Sequence, residues 1–281
     1  MTKPGVDLLP YLREEMLPTV WCPGCGHGII ARGIATALMS LGLDMDQVAF
    51  VGGIGCSGRA PFYFDAHSMH TTHGRALAFA TGLKMVNPGL TVIVPMGDGD
   101  SMAIGGNHLI HAARRNIDIT AIVFNKSIYG MTGGQAAPTS PLESRSTTSP
   151  MGSIEPAFDT VELALAAGAT YVARTTTFDF QEMPQLIAGA IRHHGFSLVE
   201  VLSQCPTYYG RLNKLGEAPD MLLYERDRTK LLEAFGPPPE ITREEMVGQL
   251  PIGLFRNEER PEYVDQYQGL VARAGGGKNA S

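Results

Sequence analysis

The run Leu90–Met96, Leu-Thr-Val-Ile-Val-Pro-Met, is nearly all apolar and stops at Gly97-Asp98-Gly99-Asp100. A strand with one wet face alternates polar and apolar residues. An unbroken apolar run suits a strand buried on both faces, as in parallel sheets covered by helices. The flanking pattern agrees. Gly28–Leu41, Gly74–Val86, Ser101–Arg115, Asp159–Ala167 and Gln181–His193 read as helices. Gln47–Gly52, Ile117–Phe124, Thr170–Ala173 and Ser197–Leu202 read as strands between them. The alternation predicts an α/β fold, a doubly wound and mostly parallel sheet with helices on both faces. With 44 % hydrophobic and 18 % charged residues, the chain has material for one large core.

Ligands of such sheets bind beyond the carboxyl ends of the strands. Gly55–Cys56, Gly97–Asp100, Asn125–Gln135 and Gln204–Cys205 each follow a predicted strand, so they are expected to gather at one sheet edge. Asn125–Ser153 is a long Gly-, Ser-, Thr- and Pro-rich loop, a length that usually carries function. Residues 1–21, punctuated by Pro4, Pro10 and Pro18, read as a lead-in segment, and 22–205 as the main domain. Residues 206–281 carry Pro237-Pro238-Pro239 and the Gly-rich Ala274–Gly277, and read as a C-terminal extension wrapping a partner or this domain, with a mobile end. The net charge of −6 argues against a general nucleic-acid or anionic-membrane partner. The apolar runs fall short of the ~20 residues a membrane helix needs. With no leader-like N-terminal pattern, a cytoplasmic location is expected.

The chain has four cysteines. Cys22 and Cys25 form a C-x-x-C, Cys56 sits in Gly-Ile-Gly-Cys-Ser, and Cys205 precedes Pro206. In a reducing compartment this pattern favours a metal or redox role over a disulfide. A zinc ribbon pairs two local knuckles, and only one is local here. The set therefore makes a poor ribbon and an acceptable cage for a 4Fe–4S cluster, with zinc and unrelated thiols as alternatives.

A Gly-Asp-Gly turn after a buried strand lets backbone approach a diphosphate and presents Asp98 to Mg²⁺, a hard cation that takes oxygen ligands. Asn125 follows 27 residues later and opens Asn125-Lys126-Ser127-Ile128-Tyr129-Gly130-Met131-Thr132-Gly133-Gly134-Gln135. The two elements resemble a thiamine diphosphate motif. Together with Trp21–His27, Gly53–Gly58, His73-Gly74-Arg75 and Cys205-Pro206-Thr207, they make residues 18 to 215 resemble the β subunit of 2-oxoacid:ferredoxin oxidoreductases. The stretch Cys205–Arg211 is most like the 2-oxoglutarate type.

The resemblance implies a thiamine diphosphate-binding fold over 22–205. It implies thiamine-dependent oxidative decarboxylation of a 2-oxoacid, best matched by 2-oxoglutarate, with coenzyme A to acyl-CoA, CO₂ and reduced ferredoxin, or the reverse. Pyruvate and branched 2-oxoacids are the alternative substrates. It also implies an α subunit supplying the other half of the active site, in an αβ unit or a dimer of αβ. Cys22, Cys25, Cys56 and Cys205 match the four cluster ligands. Asp98 matches a magnesium ligand, and Ile128 a position that supplies its backbone carbonyl. Gly55, Ser57, Gly97, Gly99, Asp100 and Thr132 fall on the cofactor side, and His73, Met131 and Thr132 on the pocket. One position departs from the pattern: the second side-chain magnesium ligand falls on Lys126, whose ammonium has no lone pair to donate. Asn125 is then the candidate to supply that oxygen. Alternatively, Lys126 points away, or it neutralises the diphosphate.

Two rival readings explain less. A non-redox thiamine lyase leaves the cysteines without a role. A zinc or iron–sulfur interaction subunit leaves the Gly97–Asp100 and Tyr129–Gln135 loops without one. Arg59, three residues past Cys56, is a candidate for a substrate or coenzyme A anion, or for a surface ion pair. His67, His70 and His73 would share one face of a helix, but their junction with Gly74-Arg75 favours a substrate- or cofactor-facing His73 over a metal site. His193-His194 reads as a solvated or dipole-pairing helix end.

Overall fold

The computed structural model describes residues 7–232 and 249–276. The strands are β1 (Val48–Gly52), β2 (His67–His70), β3 (Thr91–Gly97), β4 (Thr120–Asn125), β5 (Ile128–Tyr129), β6 (Gln135–Ala136), β7 (Tyr171–Thr176), β8 (Ser197–Leu202), β9 (Thr229–Leu231) and β10 (Leu250–Asn257). The helices are α1 (His27–Leu41), α2 (Ala76–Val86), α3 (Asp98–Met102), α4 (Gly106–Arg115), α5 (Thr160–Ala166), α6 (Met183–Arg192), α7 (Ala218–Asp227) and α8 (Tyr263–Gly276).

Eight strands form one sheet in the order β2-β1-β3-β4-β8-β7-β10-β9. The run from β2 to β7 is parallel throughout, as the apolar runs predicted. The inner strands β1, β3, β4, β8 and β7 are buried on both faces, and the period of two is visible within single strands. Ile122 and Phe124 of β4 pack with α1 and α6, beside Ile34, Leu38 and Ile187. Ala121 and Val123 of the same strand pack with α2 and α4, beside Leu77 and Leu109. Each such side chain contributes about 1.5–3 kcal/mol by leaving water. Gly33 lets α1 and α6 close up, since a Cβ there would stand 2.7 Å from the Met183 sulfur.

Two features differ from the sequence reading. The expected helix Ser101–Arg115 is two helices, α3 and α4, broken at Ala103–Gly105. The cause is a close approach: a Cβ on Gly105 would overlap the Asp100 carbonyl. His67–His70 is an edge strand paired with β1, so the three histidines share no face. His67 meets the Asp46 carbonyl, His70 lies edge-on to Phe62, and His73 turns to Asp100.

Beyond Cys205 the chain forms a single π-helical turn, Pro206–Gly210, then α7. It then returns to the sheet, where β10 lies antiparallel to β7 and parallel to β9. The triple proline at 237–239, residues 1–6 of the lead-in and the expected mobile end beyond residue 276 lie outside the described residues. No described helix is long and apolar enough to cross a membrane.

Candidate active site

The parallel strands β1, β3 and β4 end side by side at Gly52, Gly97 and Asn125. The segments that follow them line one cavity of about 450 Å³, as strand-end geometry requires. Its walls include Gly55, Cys56, Ser57, His73, Gly97, Asp98, Gly99, Asp100, Lys126, Ile128, Met131 and Thr132. Residues up to 81 positions apart in sequence, Ile54 and Gln135, thus meet because their strands are neighbours.

The Gly97–Asp100 turn opens α3 and is tightly fitted. A Cβ on Gly99 would fall on the Tyr129 ring, and one on Gly53 would fall on the Asp100 carboxylate. Asp98 is 2 % exposed. Its Oδ2 accepts from the Ile128 N–H at 3.1 Å and the Thr139 hydroxyl at 2.8 Å. Burial pushes its carboxyl above the usual range, with the Thr139 hydroxyl and Lys126 opposing. A buried carboxylate at a cavity wall, with no ion pair among the described residues, suits a bound cation, whose charge would offset the desolvation.

Asp100 is aimed the other way. Its Oδ1 accepts from the Gly74 N–H at 2.6 Å and stands 2.8 Å from His73 Nδ1, while Oδ2 is buried without a partner. The contact with Asp100 raises the His73 pKa. With Nδ1 engaged, Nε2 remains for a guest in the cavity.

The β5–β6 hairpin carries Met131 and Thr132 at its tip. Met131 is 44 % exposed at the cavity mouth, and the Thr132 hydroxyl donates to Gln135. Asn125 does not line the cavity. Its amide donates to Glu200 at 2.8 Å, and its Oδ1 accepts from the Ser127 N–H at 2.9 Å. Glu200 in turn takes the Nε of Arg174, whose other arm reaches Asp159 at 2.6 Å. This buried network fixes the turn at Ser127, where φ is +56°, and so aims Ile128 at Asp98. Sequence reading missed Thr139, Glu200 and Arg174. Thr139 lies 41 residues from Asp98 in a Thr- and Ser-rich loop, with nothing local to mark it.

The cysteines lie next to this cavity. Cys56 lines it, and Cys25, Cys56 and Cys205 are close enough to act on one another and on Lys126 electrostatically. Burial pushes the Cys25 thiol up to about 11. Cys22 is exposed and turns onto Cys25 through the Cys25 N–H to Cys22 carbonyl bond, 3.0 Å. Among the described residues, no three cysteine sulfurs lie within 4.8 Å of one another. One zinc ion with ~2.3 Å bonds would hold its sulfurs nearer than that, at roughly 3.8 Å. His27, fully buried beside Trp21 and Phe124, has both ring nitrogens unpartnered. The nearby Cys56 carbonyl is taken by the Trp21 indole at 2.8 Å. Desolvation holds His27 well below the usual pKa, hence neutral.

The remaining candidates lie elsewhere. Arg59 stacks on Phe62 at 5.7 Å and makes no ion pair among the described residues. His193 meets the Thr170 hydroxyl, and His194 pairs with Asp265 at 2.8 Å.

Residues 53–201 match the family model described as thiamine pyrophosphate enzyme, C-terminal TPP binding domain. The chain is 47 % identical over 272 residues to 2-oxoglutarate synthase subunit KorB of Methanothermobacter marburgensis, covering 95 % of this chain and 93 % of the relative. It is 47 % identical over 269 residues to the same subunit of Archaeoglobus fulgidus, covering 96 % of each. Its structure superimposes with a TM-score of 0.87, at 35 % identity, on a chain of 2-oxoglutarate:ferredoxin oxidoreductase from Magnetococcus marinus, covering 98 % of this chain and 92 % of that one. That structure contains 2-oxoglutarate, coenzyme A and succinyl-CoA.

Proposed function

The chain belongs to the family of 2-oxoacid:ferredoxin oxidoreductase β subunits, and on that premise we propose that it works with an α subunit to convert 2-oxoglutarate and coenzyme A into succinyl-CoA and CO₂. Ferredoxin takes the two electrons released. The observation that carries the reading is the cavity in which the Asp98 turn, the β5–β6 hairpin and Cys56 meet. The relatives' 2-oxoglutarate names support the substrate, as do the ligands in the Magnetococcus marinus structure.

When bound, thiamine diphosphate supplies the electron sink for decarboxylation, and a 4Fe–4S cluster a one-electron acceptor. The chain's own residues prepare the space. Gly97 and Gly99 let Ser57 and Tyr129 pack closely on the turn, whose backbone would meet the diphosphate. Asp98 would give Mg²⁺ a side-chain oxygen and Ile128, whose N–H is bonded to that carboxylate, a backbone carbonyl. Asn125 holds the strand end through Glu200 and Ser127. Ser57 and Gly55 form the opposite wall. Cys22, Cys25, Cys56 and Cys205 would hold the cluster, with Gly24 packed on Ala218 and Gly26 on Ser203 and Gln204. His73, fixed through Nδ1 by Asp100, offers Nε2–H to a substrate or cofactor anion. Met131 and Thr132 border the mouth, where the α subunit closes the site and excludes water.

The test is composition and turnover of the αβ complex purified without air. About four irons and one thiamine diphosphate per αβ unit, with 2-oxoglutarate-dependent ferredoxin reduction, support the reading. Zinc in place of iron removes the redox role. Turnover of pyruvate but not 2-oxoglutarate overturns the substrate.

A further inference from the structure

Lys126 stands where the resemblance expects a magnesium ligand, and its surroundings give it a different task. The residue is 6 % exposed, and its Nζ makes no hydrogen bond or ion pair among the described residues. A buried ammonium left without a partner is costly, so an anion is expected to meet it when the site is filled. Two anions are near at hand in the proposed holoenzyme: the diphosphate beside Asp98, and the thiolate-bound cluster.

The direction of the side chain decides between them. Nζ packs on Gly130, 2.7 Å from where a Cβ would stand, and the Cys56 sulfur lies 3.4 Å from the same point. The ammonium and the sulfur therefore share one small space, which only a glycine at position 130 leaves open.

We infer that Lys126 is a buried positive charge built into the cysteine cage. It favours the reduced, more negative state of the cluster and so raises its reduction potential. It is a tuning residue and contributes little to diphosphate binding. A cluster held by these cysteines would supply a one-electron acceptor, and Lys126 would set how readily it takes that electron. The inference rests on the proposed function, in that the cysteines must hold an iron–sulfur cluster. At short range in a protein interior, one fixed charge changes a one-electron equilibrium at least tenfold, which is 59 mV.

The experiment compares the parent αβ complex with Lys126→Met and Lys126→Arg, purified without air. Iron and sulfide content, the cluster midpoint potential by redox titration, and thiamine diphosphate affinity by calorimetry are measured for each. The expected result is a potential at least 59 mV lower in Lys126→Met, near-parental in Lys126→Arg, with thiamine diphosphate affinity within threefold of the parent. If Lys126→Met loses iron while Lys126→Arg keeps both iron and potential, the need for the charge is equally upheld. An unchanged potential in Lys126→Met with a tenfold weaker diphosphate overturns the inference and assigns the charge to the cofactor. Iron missing from the parent complex overturns the cluster reading itself.

Discussion

Glu200→Gln isolates the buried network behind the cavity. Glu200 is 1 % exposed and accepts from two donors at once, Arg174 Nε and Asn125 Nδ2. A glutamine keeps the shape but replaces one acceptor oxygen with an NH₂ group. In either orientation of the new amide, one buried donor faces another. Asn125 can flip to relieve this only by giving up its bond from Ser127. Arg174 keeps Asp159, so its charge is not wholly orphaned. Removing one partner of a buried pair costs about 3–5 kcal/mol, and an unsatisfied buried donor about 1–3 kcal/mol. With Asp159 retained, the expected loss is about 3 kcal/mol, a fall of roughly 6–12 °C in melting temperature for a domain of this size. The assay is thermal unfolding of the β chain followed by circular dichroism, beside thiamine diphosphate affinity in the αβ complex. Affinity should fall several-fold, because the Ser127 turn that aims Ile128 at Asp98 is loosened. Arg174→Met with Glu200→Leu should cost less stability than Glu200→Gln, since both charges leave together. A Glu200→Gln chain melting within 1 °C of the parent would refute the reasoning.

Gly99→Ala drives a methyl group into the Tyr129 ring, so thiamine diphosphate affinity should drop at least tenfold by calorimetry while the circular dichroism spectrum is kept. The His73–Asp100 contact raises the histidine pKa. It therefore adds stability that is fully present below the unfolded value near 6.5. That stability is lost as pH rises through the folded value. The difference in melting temperature between parent and His73→Asn should be greatest near pH 6 and shrink at pH 9, and a constant difference would remove the ion pair. In iron-free chain at pH 8, Cys25, with a pKa of about 11, is only about 0.1 % thiolate and half-buried. Iodoacetamide followed by peptide mass spectrometry should label exposed Cys22 at least tenfold faster.

The sequence by itself determined the parallel sheet, because strands buried on both faces are written as unbroken apolar runs whose period needs no partner to be read. It also determined the strand-end cavity, since Gly97–Asp100 and the Asn125–Gln135 segment each abut the run that positions them. Tertiary structure alone decided which groups complete that cavity. Thr139 on Asp98, Glu200 on Asn125 and Arg174 between Glu200 and Asp159 join residues 15 to 75 positions apart, and a hydrogen bond across such a span leaves no local mark. The same holds for β10, whose antiparallel place beside β7 depends on which edge of the sheet remained open. It holds for the histidines 67, 70 and 73, whose spacing suits a helix, but of which 67 and 70 pair with β1 in an edge strand and 73 lies beyond it. The direction of Lys126 was also beyond the sequence, because the void left by Gly130 exists only once the hairpin has closed over Cys56.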